Sequence, residues 1–284
     1  GSSPTYGRHR TLDEVKAMLD AVVASEGEPD IVQISGGEPT IHPQFFDILD
    51  YAKTLPIRHI MINTNGIRIA DDKGFAERLN DYMPGIEIYL QFDSFKPHVL
   101  TKLRGKDLSA KRQKALEKLE KFNIHSTLVV TLERGQNDDE IGKIIDFSLE
   151  YRCLRGVTFQ PTQVAGRTDN FDPLKNKFTL TETRQGILDQ TDIFKENDII
   201  PVPCNPDALA MAYALKLDGK VIPLTSMIDP DIFLNGTRNT ILLEQEENLQ
   251  KELIKVFSTS QTGGTLAKNL QTLLCCLPMI SAPN

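Results

Sequence analysis

The residues best placed to do chemistry are Gly36, Gly37, Glu38 and Pro39, which directly follow an apolar strand predicted over residues 30–35. Because glycine has no Cβ, Gly36 and Gly37 can adopt positive φ and let a small molecule approach their backbone N–H and C=O groups. Glu38 adds one negative charge beside them, and Pro39 fixes φ and turns the chain out of the strand. An amino group would find a carboxylate and backbone carbonyls here, so the stretch predicts a ligand site. The alternative is an ordinary strand-to-helix turn.

Polar clusters follow four further predicted strands, and together with the first cluster they outline a continuous rim. In parallel α/β folds, ligands bind at the carboxyl ends of the strands. The clusters are Asn63-Thr64-Asn65-Gly66, Gln91-Phe92-Asp93-Ser94, Thr131-Leu132-Glu133-Arg134-Gly135 and Gln160-Pro161-Thr162-Gln163. Taken singly, Asn65-Gly66 is typical of a turn, and Asp93-Ser94 could cap the following segment.

Helices and strands alternate along the chain in the order that such a rim requires. The predicted strands cover residues 30–35, 57–63, 86–92, 126–132 and 156–161. The predicted helices cover residues 12–25, 43–52, 71–81, 107–122 and 138–151. Thr11 and Glu14 form a capping box ahead of the first helix. Mostly apolar strands separated by helices predict a parallel α/β sheet with both faces covered, and we favour a complete or partial barrel over an open sheet.

The pattern changes after residue 168, which divides the chain into two predicted domains. Residues 1–168 form the barrel domain, and residues 169–284 form a C-terminal α+β extension that we expect to pack as a cap over the barrel mouth. A second capping box, Thr179 with Glu182, precedes a helix to about residue 194. Residues 215–223 contain Asp218-Gly219 and predict a β-hairpin with a type I′ turn, and residues 244–257 predict a charged helix.

Composition narrows the possible partners and compartments. The 284 residues carry 32 basic and 39 acidic side chains, a net charge of −7 without a long basic run, which argues against a nucleic-acid partner. No apolar run reaches the roughly 18 residues that span a bilayer, and the first residues do not form a signal peptide. Four scattered cysteines favour a reducing cytoplasm over a disulfide framework. A hydrolase is disfavoured, because the sequence lacks Gly-x-Ser-x-Gly and paired catalytic carboxylates.

The Gly-Gly-Glu-Pro stretch and the order of the rim clusters resemble the radical S-adenosylmethionine (SAM) superfamily. The resemblance implies a partial (β/α)6 TIM-like barrel in which Gly36, Gly37, Glu38 and Pro39 cradle the methionine amino group of SAM. It further implies a SAM pocket whose remaining contacts would be Asn63, Thr64 and Asn65, with Asp93 or Ser94 bonding the ribose hydroxyls and Gln160 near adenosine or the methionine end. An electron donor such as ferredoxin or flavodoxin is the implied protein partner.

Further motifs resemble one archaeal and bacterial branch of this superfamily. They include Thr40-Ile41-His42-Pro43, residues 61–66, residues 134–140 and Pro203-Cys204-Asn205-Pro206-Asp207. That branch includes proteins linked to C-methylation of a dihydropterin and to carbon–carbon coupling in tetraether lipid synthesis. The resemblance therefore implies a small-molecule substrate, with a pterin or a lipid as the candidates.

One departure from the family pattern concerns the iron–sulfur cluster. The superfamily holds a [4Fe–4S] cluster with three cysteines, usually Cys-x-x-x-Cys-x-x-Cys, and this sequence has no such motif. Its first cysteine is Cys153, and residues 2–6, Ser-Ser-Pro-Thr-Tyr, resemble the family's Cys-Pro-x-Cys-Tyr without the thiols. Truncation, alteration and a natural loss all remain open. We expect the chain as given to be inactive for lack of these ligands.

The four cysteines divide into one candidate ligand and three expected core residues. Cys204 lies between two prolines and could ligate an auxiliary cluster, whereas Cys153, Cys275 and Cys276 are expected in the core.

Two classes of function follow from the sequence. The first is a radical SAM iron–sulfur enzyme, or a fragment of one, which cleaves SAM reductively to functionalise an unactivated carbon. The second is a cluster-less module that binds SAM or a nucleoside without catalysis.

Overall fold

Five parallel strands form one sheet in the order β1-β2-β3-β4-β5. The strands are β1 (Ile31–Ile34), β2 (His59–Thr64), β3 (Ile86–Gln91), β4 (Ser126–Leu132) and β5 (Leu154–Pro161). Each strand pairs in parallel with the next one along the chain. Because all five strands are parallel, their carboxyl ends lie at one edge of the sheet. Each strand is joined to the next by a crossover connection. The predicted fold class, a parallel α/β partial barrel, is confirmed; the sheet of the described residues has five strands, and the sixth βα unit of the predicted (β/α)6 barrel stays a prediction.

This computed structural model describes residues 8–162, 172–202, 205, 207–217 and 220–229. The chain divides into two compact units between Gln190 and Thr191. The helices of the first unit are α1 (Leu12–Glu26), α2 (Phe45–Lys53), α3 (Ile67–Asp71), α4 (Phe75–Asn80), α5 (Pro97–Arg104), α6 (Ser109–Phe122), α7 (Ile141–Glu150), α8 (Pro173–Asn176) and α9 (Leu180–Gln190). None of the helices in the described ranges is long and apolar enough to cross a bilayer.

The hydrophobic core lies on one face of the sheet. Ile60 and Ile62 of β2 pair with Ile86 and Ile88 of β3, and all four side chains are at most 1% exposed. Apolar residues of the helices fill the same core, among them Phe45, Leu49, Phe75, Leu79 and Leu116. The alternate residues of the strands point to the other face, since side chains alternate along a strand. That second face is only half-buried along β2 and β3.

Local sequence signals place several helix boundaries correctly. The Thr11–Glu14 capping box is confirmed, with the Glu14 N–H donating to Thr11 Oγ1 at 3.2 Å and the Thr11 N–H donating to Glu14 Oε2 at 2.8 Å. The Thr179–Glu182 box is confirmed at the start of α9. The side chain of Gln190, in α9, accepts a hydrogen bond from the backbone N–H of Gly142. The first unit therefore includes α9 and runs past residue 168.

The single helix predicted over residues 71–81 is wrong, because α3 and α4 replace it. Asp72 takes an extended conformation between them, with φ −81° and ψ 125°. The ammonium of Lys118, on α6, donates to the carbonyls of Ile69, Ala70 and Asp72 at 2.7–2.9 Å. It thereby satisfies carbonyls that an uninterrupted helix would have bonded internally. The helix α5 is also absent from the sequence prediction, which began its helix at residue 107.

The second unit contains two short antiparallel pairs, β6 (Ile200–Pro201) with β7 (Ala210–Met211) and β8 (Ala214–Leu217) with β9 (Lys220–Pro223). Ile200, Leu224 and Ile228 form its small buried core. The hairpin predicted over residues 215–223 is confirmed by the pairing of β8 with β9, whereas its turn residues lie outside the described ranges. The predicted helix over residues 244–257 also lies outside them, and the placement of this extension over the barrel mouth stays a prediction.

We expect Lys118→Met to lower the free energy of unfolding by about 1.5 kcal/mol, because it removes charge-assisted bonds to three carbonyls. Denaturant unfolding monitored by circular dichroism would measure the change. The matched control is Lys114→Met on the same helix, where the side chain is exposed and the change should stay below about 0.5 kcal/mol. Equal losses in the two variants would contradict this role for Lys118.

Candidate functional site

The loop after β1 exposes bare backbone at the carboxyl edge of the sheet. Gly36 and Gly37 have φ of 105° and 57°, which is the left-handed region that favours glycine. Both residues are exposed. A Cβ built on Gly36 would meet nothing within 4 Å, so the space beside it is open. Both glycines therefore adopt the positive φ that the sequence predicts, and a ligand can approach their backbone N–H and C=O groups.

Glu38 holds this loop against the loop after β2. Its Oε1 accepts from the Thr40 N–H at 3.1 Å, the Thr40 hydroxyl at 2.7 Å and the Thr64 hydroxyl at 2.7 Å. Its Oε2 accepts from the Asn65 N–H at 2.7 Å. The carboxylate also caps the short 3₁₀ turn over Pro39–Ile41. The structure thus places Glu38 at the cap of this turn, with four hydrogen-bond donors already around its carboxylate.

The loop after β2 is itself locally bonded. The Asn65 Oδ1 accepts from the Ile67 N–H at 2.9 Å, and the Thr64 hydroxyl, fully buried, accepts from the Gly66 N–H at 3.1 Å. Gly66 has φ of 76°, and a Cβ there would stand 2.7 Å from Leu90 Cδ1. Only glycine fits this position, so the Asn-Gly turn lies tight against β3.

Asp93 is enclosed within an ion-pair network. Its side chain is 0% exposed, and Arg104 bonds it in a bidentate manner at 2.7 and 2.8 Å. The Thr131 N–H donates to the same carboxylate at 3.1 Å. Burial would lower the pKa of Arg104, yet hydrogen bonding and the charge of Asp93 raise it above its ordinary value. Arg112 lies 4.0 Å from the carboxylate, and burial lowers the pKa of Arg112 to about 10.

Ser94 joins β3 to the segment ahead of α7. Its hydroxyl donates to Glu140 and accepts from the Lys96 N–H at 2.9 Å, and Ser94 and Glu140 are both buried. The Nδ2 of Asn137 donates to the carbonyls of Asp93 and Thr131, each at 2.8 Å. The side chains of Asp93 and Ser94 thus bond protein groups, and the predicted contact of either with a ribose stays a prediction.

The remaining predicted residues lie on the half-buried face or outside the described ranges. Asn63 is half-buried, and its Oδ1 is buried with no hydrogen-bond partner among the described residues. Gln160 is exposed on β5. Pro39 begins the 3₁₀ turn that Glu38 caps. Cys204, the predicted ligand of an auxiliary cluster, lies outside the described ranges.

The described residues do not provide a cluster site. No group of three or more His, Cys, Asp or Glu side chains in the described ranges is arranged to hold a metal ion. Cys153 is fully buried and free, as the sequence predicted. Burial, and then the neighbouring Glu120, raise the pKa of the Cys153 thiol to about 12. It is therefore a neutral thiol rather than the thiolate that iron requires.

Sequence reasoning missed four residues that shape this edge of the sheet: Arg104, Arg112, Asn137 and Glu140. The sequence predicted no contact between any of the four and another side chain of the rim. Each of them reaches a partner at least 11 residues away, apart from local contacts of Asn137. The only available signal was the unusual density of Asp, Asn, Glu and Arg in the segments after β3 and β4.

Comparisons with known proteins give a family and several relatives. Residues 2–148 match the family model described as the radical SAM superfamily. The chain is 29% identical over 259 residues to a 7,8-dihydro-6-hydroxymethylpterin dimethyltransferase of Methanocaldococcus jannaschii, covering 81% of this chain and 50% of that protein. It is 26% identical over 163 residues to a GTP 3′,8-cyclase of Actinobacillus succinogenes, covering 54% of this chain and 46% of that protein.

A solved structure, "Native anSMEcpe with bound AdoMet", gives a TM-score of 0.47 at 18% identity over 65% of this chain and 51% of that chain. The chain spans about half the length of the curated relatives it matches.

We expect Glu38→Gln to lower the free energy of unfolding by about 1–3 kcal/mol, because the amide NH₂ would face donors and leave one of them unsatisfied. The control is Glu28→Gln, an exposed residue whose side chain is 70% accessible. Unfolding of both variants and SAM affinity by calorimetry should be measured together. Unchanged stability with a large loss of SAM affinity would contradict the bonding role and support direct pairing with the ligand ammonium.

Proposed function

We propose a function for this chain, which belongs to the radical SAM superfamily: its first unit binds SAM at the carboxyl ends of β1 and β2. The observation that carries the proposal is the exposed Gly36-Gly37 backbone in the left-handed region, beside the carboxylate of Glu38. Open space next to Gly36 fits the methionine end of SAM, and backbone carbonyls can accept from its ammonium. In an enzyme that holds a reduced [4Fe–4S] cluster, one electron from the cluster would cleave bound SAM to methionine and a carbon radical, which takes hydrogen from an unactivated carbon.

The residues around this backbone have separate roles in the proposal. Glu38 keeps the glycine loop fixed to Thr64 and Asn65 while adding negative potential near the ammonium. Asp93 and Ser94 hold the ends of β3 and β4 together, so that they support the adenosine side of the pocket from within. Exposed Gln160 on β5 is available for direct contact with the ligand.

The substrate is proposed as a small molecule, and methylation of a pterin is the favoured reaction. Support comes from the relative of Methanocaldococcus jannaschii, a dihydropterin dimethyltransferase, which matches 81% of this chain. Carbon–carbon coupling on a lipid is the other reaction that the sequence resemblance suggested. An electron donor such as ferredoxin or flavodoxin, and a cytoplasmic location, complete the proposal.

The described residues do not supply thiolate ligands for a [4Fe–4S] cluster. The 284 residues lack Cys-x-x-x-Cys-x-x-Cys, and the one described cysteine is a buried neutral thiol. We therefore propose that the chain as given binds SAM but does not cleave it. Its own residues would orient the ligand.

We expect anaerobic reconstitution with iron and sulfide to leave the chain without the broad absorption near ~400 nm that thiolate-bound [4Fe–4S] clusters give. The reason is the lack of thiolates before Cys153. Iron and acid-labile sulfide should be measured alongside the spectrum. A stoichiometric cluster bound by residues before Arg10 would sink this part of the proposal.

We expect Gly37→Val to weaken SAM binding by about tenfold or more, because a branched side chain would occupy space that the ligand's amino end needs. Gly27→Val is the matched control: Gly27 has positive φ like Gly37, a Cβ there meets nothing within 4 Å, and the residue lies before β1, away from the rim. Gly37→Ala adds a milder version if the valine variant folds poorly. Calorimetry that gives the Gly37 and Gly27 variants equal SAM affinity would refute the proposed position of the ligand.

A further inference from the structure

The face of the sheet opposite the core carries a row of four residues at one level, which we call the Asn63 row. Asn63 pairs with Tyr89, Tyr89 with Thr127, and Thr127 with Gly156. Residues paired across neighbouring strands point to the same face. On β2 this face is distinct from the core face, since Ile62 and Thr64 are fully buried whereas Met61 and Asn63 are half-buried.

Asn63 places an unsatisfied acceptor in this row. Its Oδ1 is buried, and no described residue donates a hydrogen bond to it. A buried polar atom without a partner is costly, and native proteins leave few of them. A ligand that brings an N–H to this point would supply the missing bond.

Tyr89 gives the same row a flat aromatic surface. Its hydroxyl donates to Thr158 Oγ1 at 2.6 Å, which joins β3 to β5 although β4 lies between them. Neighbouring strands lie about 4.8 Å apart, so the side chain must lie along the sheet to reach that far. Gly156 has no side chain, and a Cβ there would stand 3.4 Å from Thr127 Oγ1. The row therefore has an aromatic ring held by a hydrogen bond at Tyr89, and no side chain at Gly156.

The strand residues between this row and the carboxyl edge carry no formal charge. They are Gln91, Val129, Thr131, Thr158 and Gln160. The one acid on the strand face below, Glu87, is paired with His59 at 3.0 Å and accepts from the Thr127 hydroxyl. Amides and hydroxyls favour a neutral ligand with several hydrogen-bonding atoms. The hydroxyls of Thr158 and Thr131 already accept from Tyr89 and Arg104, so the amides of Gln91 and Gln160 are the groups that an acyl chain would leave unpaired. The charge of Arg104 is already paired with Asp93 and is not free for a phosphate.

We propose that Asn63 and Tyr89 form a substrate subsite for a flat, uncharged nitrogen heterocycle. The ring packs against Tyr89, and a ring or exocyclic N–H donates to Asn63 Oδ1. The inference rests on the proposed function, because it places the substrate on the sheet face below the SAM loop. It assigns Asn63 to the substrate, whereas the sequence resemblance assigned it to SAM.

The test compares two variants, Asn63→Leu and Met61→Leu. Met61 is the control, because it lies two residues away on the same face of β2 and leucine is close to methionine in volume. The probe is 6-hydroxymethylpterin, whose fluorescence reports binding, titrated into the chain with SAM present. Calorimetry gives SAM affinity separately, and thermal unfolding gives the melting temperature. For Asn63→Leu we expect pterin affinity to fall about tenfold, SAM affinity to stay unchanged and the melting temperature not to fall. Met61→Leu should leave all three unchanged.

Other outcomes separate this inference from the proposed function. Loss of SAM affinity with unchanged pterin affinity would assign Asn63 to the cofactor and overturn the inference alone. A lowered melting temperature with unchanged pterin affinity would make Asn63 structural and also overturn it. A wild-type chain that binds SAM but not the pterin overturns the subsite, whereas a wild-type chain that fails to bind SAM overturns the proposed function.

Discussion

The candidate site depends on one carboxylate that serves two loops. The ladder between β1 and β2 ends at the pair Ile34 and Ile62, and beyond that pair no strand pairing holds the two segments together. Glu38 replaces it with bonds to Thr40, Thr64 and the Asn65 N–H, three residues on two loops. Bonds to a charged acceptor are roughly twice as strong as neutral ones. The bonds of Glu38 therefore fix the loop that carries Gly36 and Gly37, whose own backbone takes left-handed angles.

The same use of acids recurs along the carboxyl edge. Asp93 is held by Arg104, Ser94 donates to Glu140, and Lys102 pairs with Glu133. A buried charge is tolerated only when it is paired and hydrogen-bonded, and such pairing occupies its acceptors. Acids at the carboxyl ends of strands therefore act here as internal supports. What these acids leave free at the edge are backbone groups, neutral side chains and the exposed parts of their basic partners, such as Lys102.

The parts of the fold that rest on neighbouring residues can be predicted from the sequence. The Thr11 capping box and the bounds of β4 are examples, because periodicity and caps act within a few positions. The break between α3 and α4 could not be predicted, since the ammonium that bonds its carbonyls lies 46 residues from Asp72. In the site, glycine angles follow from residue type. The identity of the arginine that pairs with Asp93 could not be predicted, because any of several nearby cations could have reached that carboxylate.

The two proposed kinds of recognition on this sheet would respond differently to sequence change. Contacts made by the backbone of Gly36 and Gly37 depend on conformation, so any sequence that keeps positive φ and the Glu38 support keeps them. Contacts made by Asn63 and Tyr89 depend on the side chain at each strand position, where one substitution changes a donor, an acceptor or a ring. A cofactor shared by many enzymes suits the first kind, whereas a substrate particular to one enzyme suits the second. If the proposed subsite is correct, the unpartnered Oδ1 of Asn63 says more about the substrate than the charged residues of the rim do, because those residues bond one another.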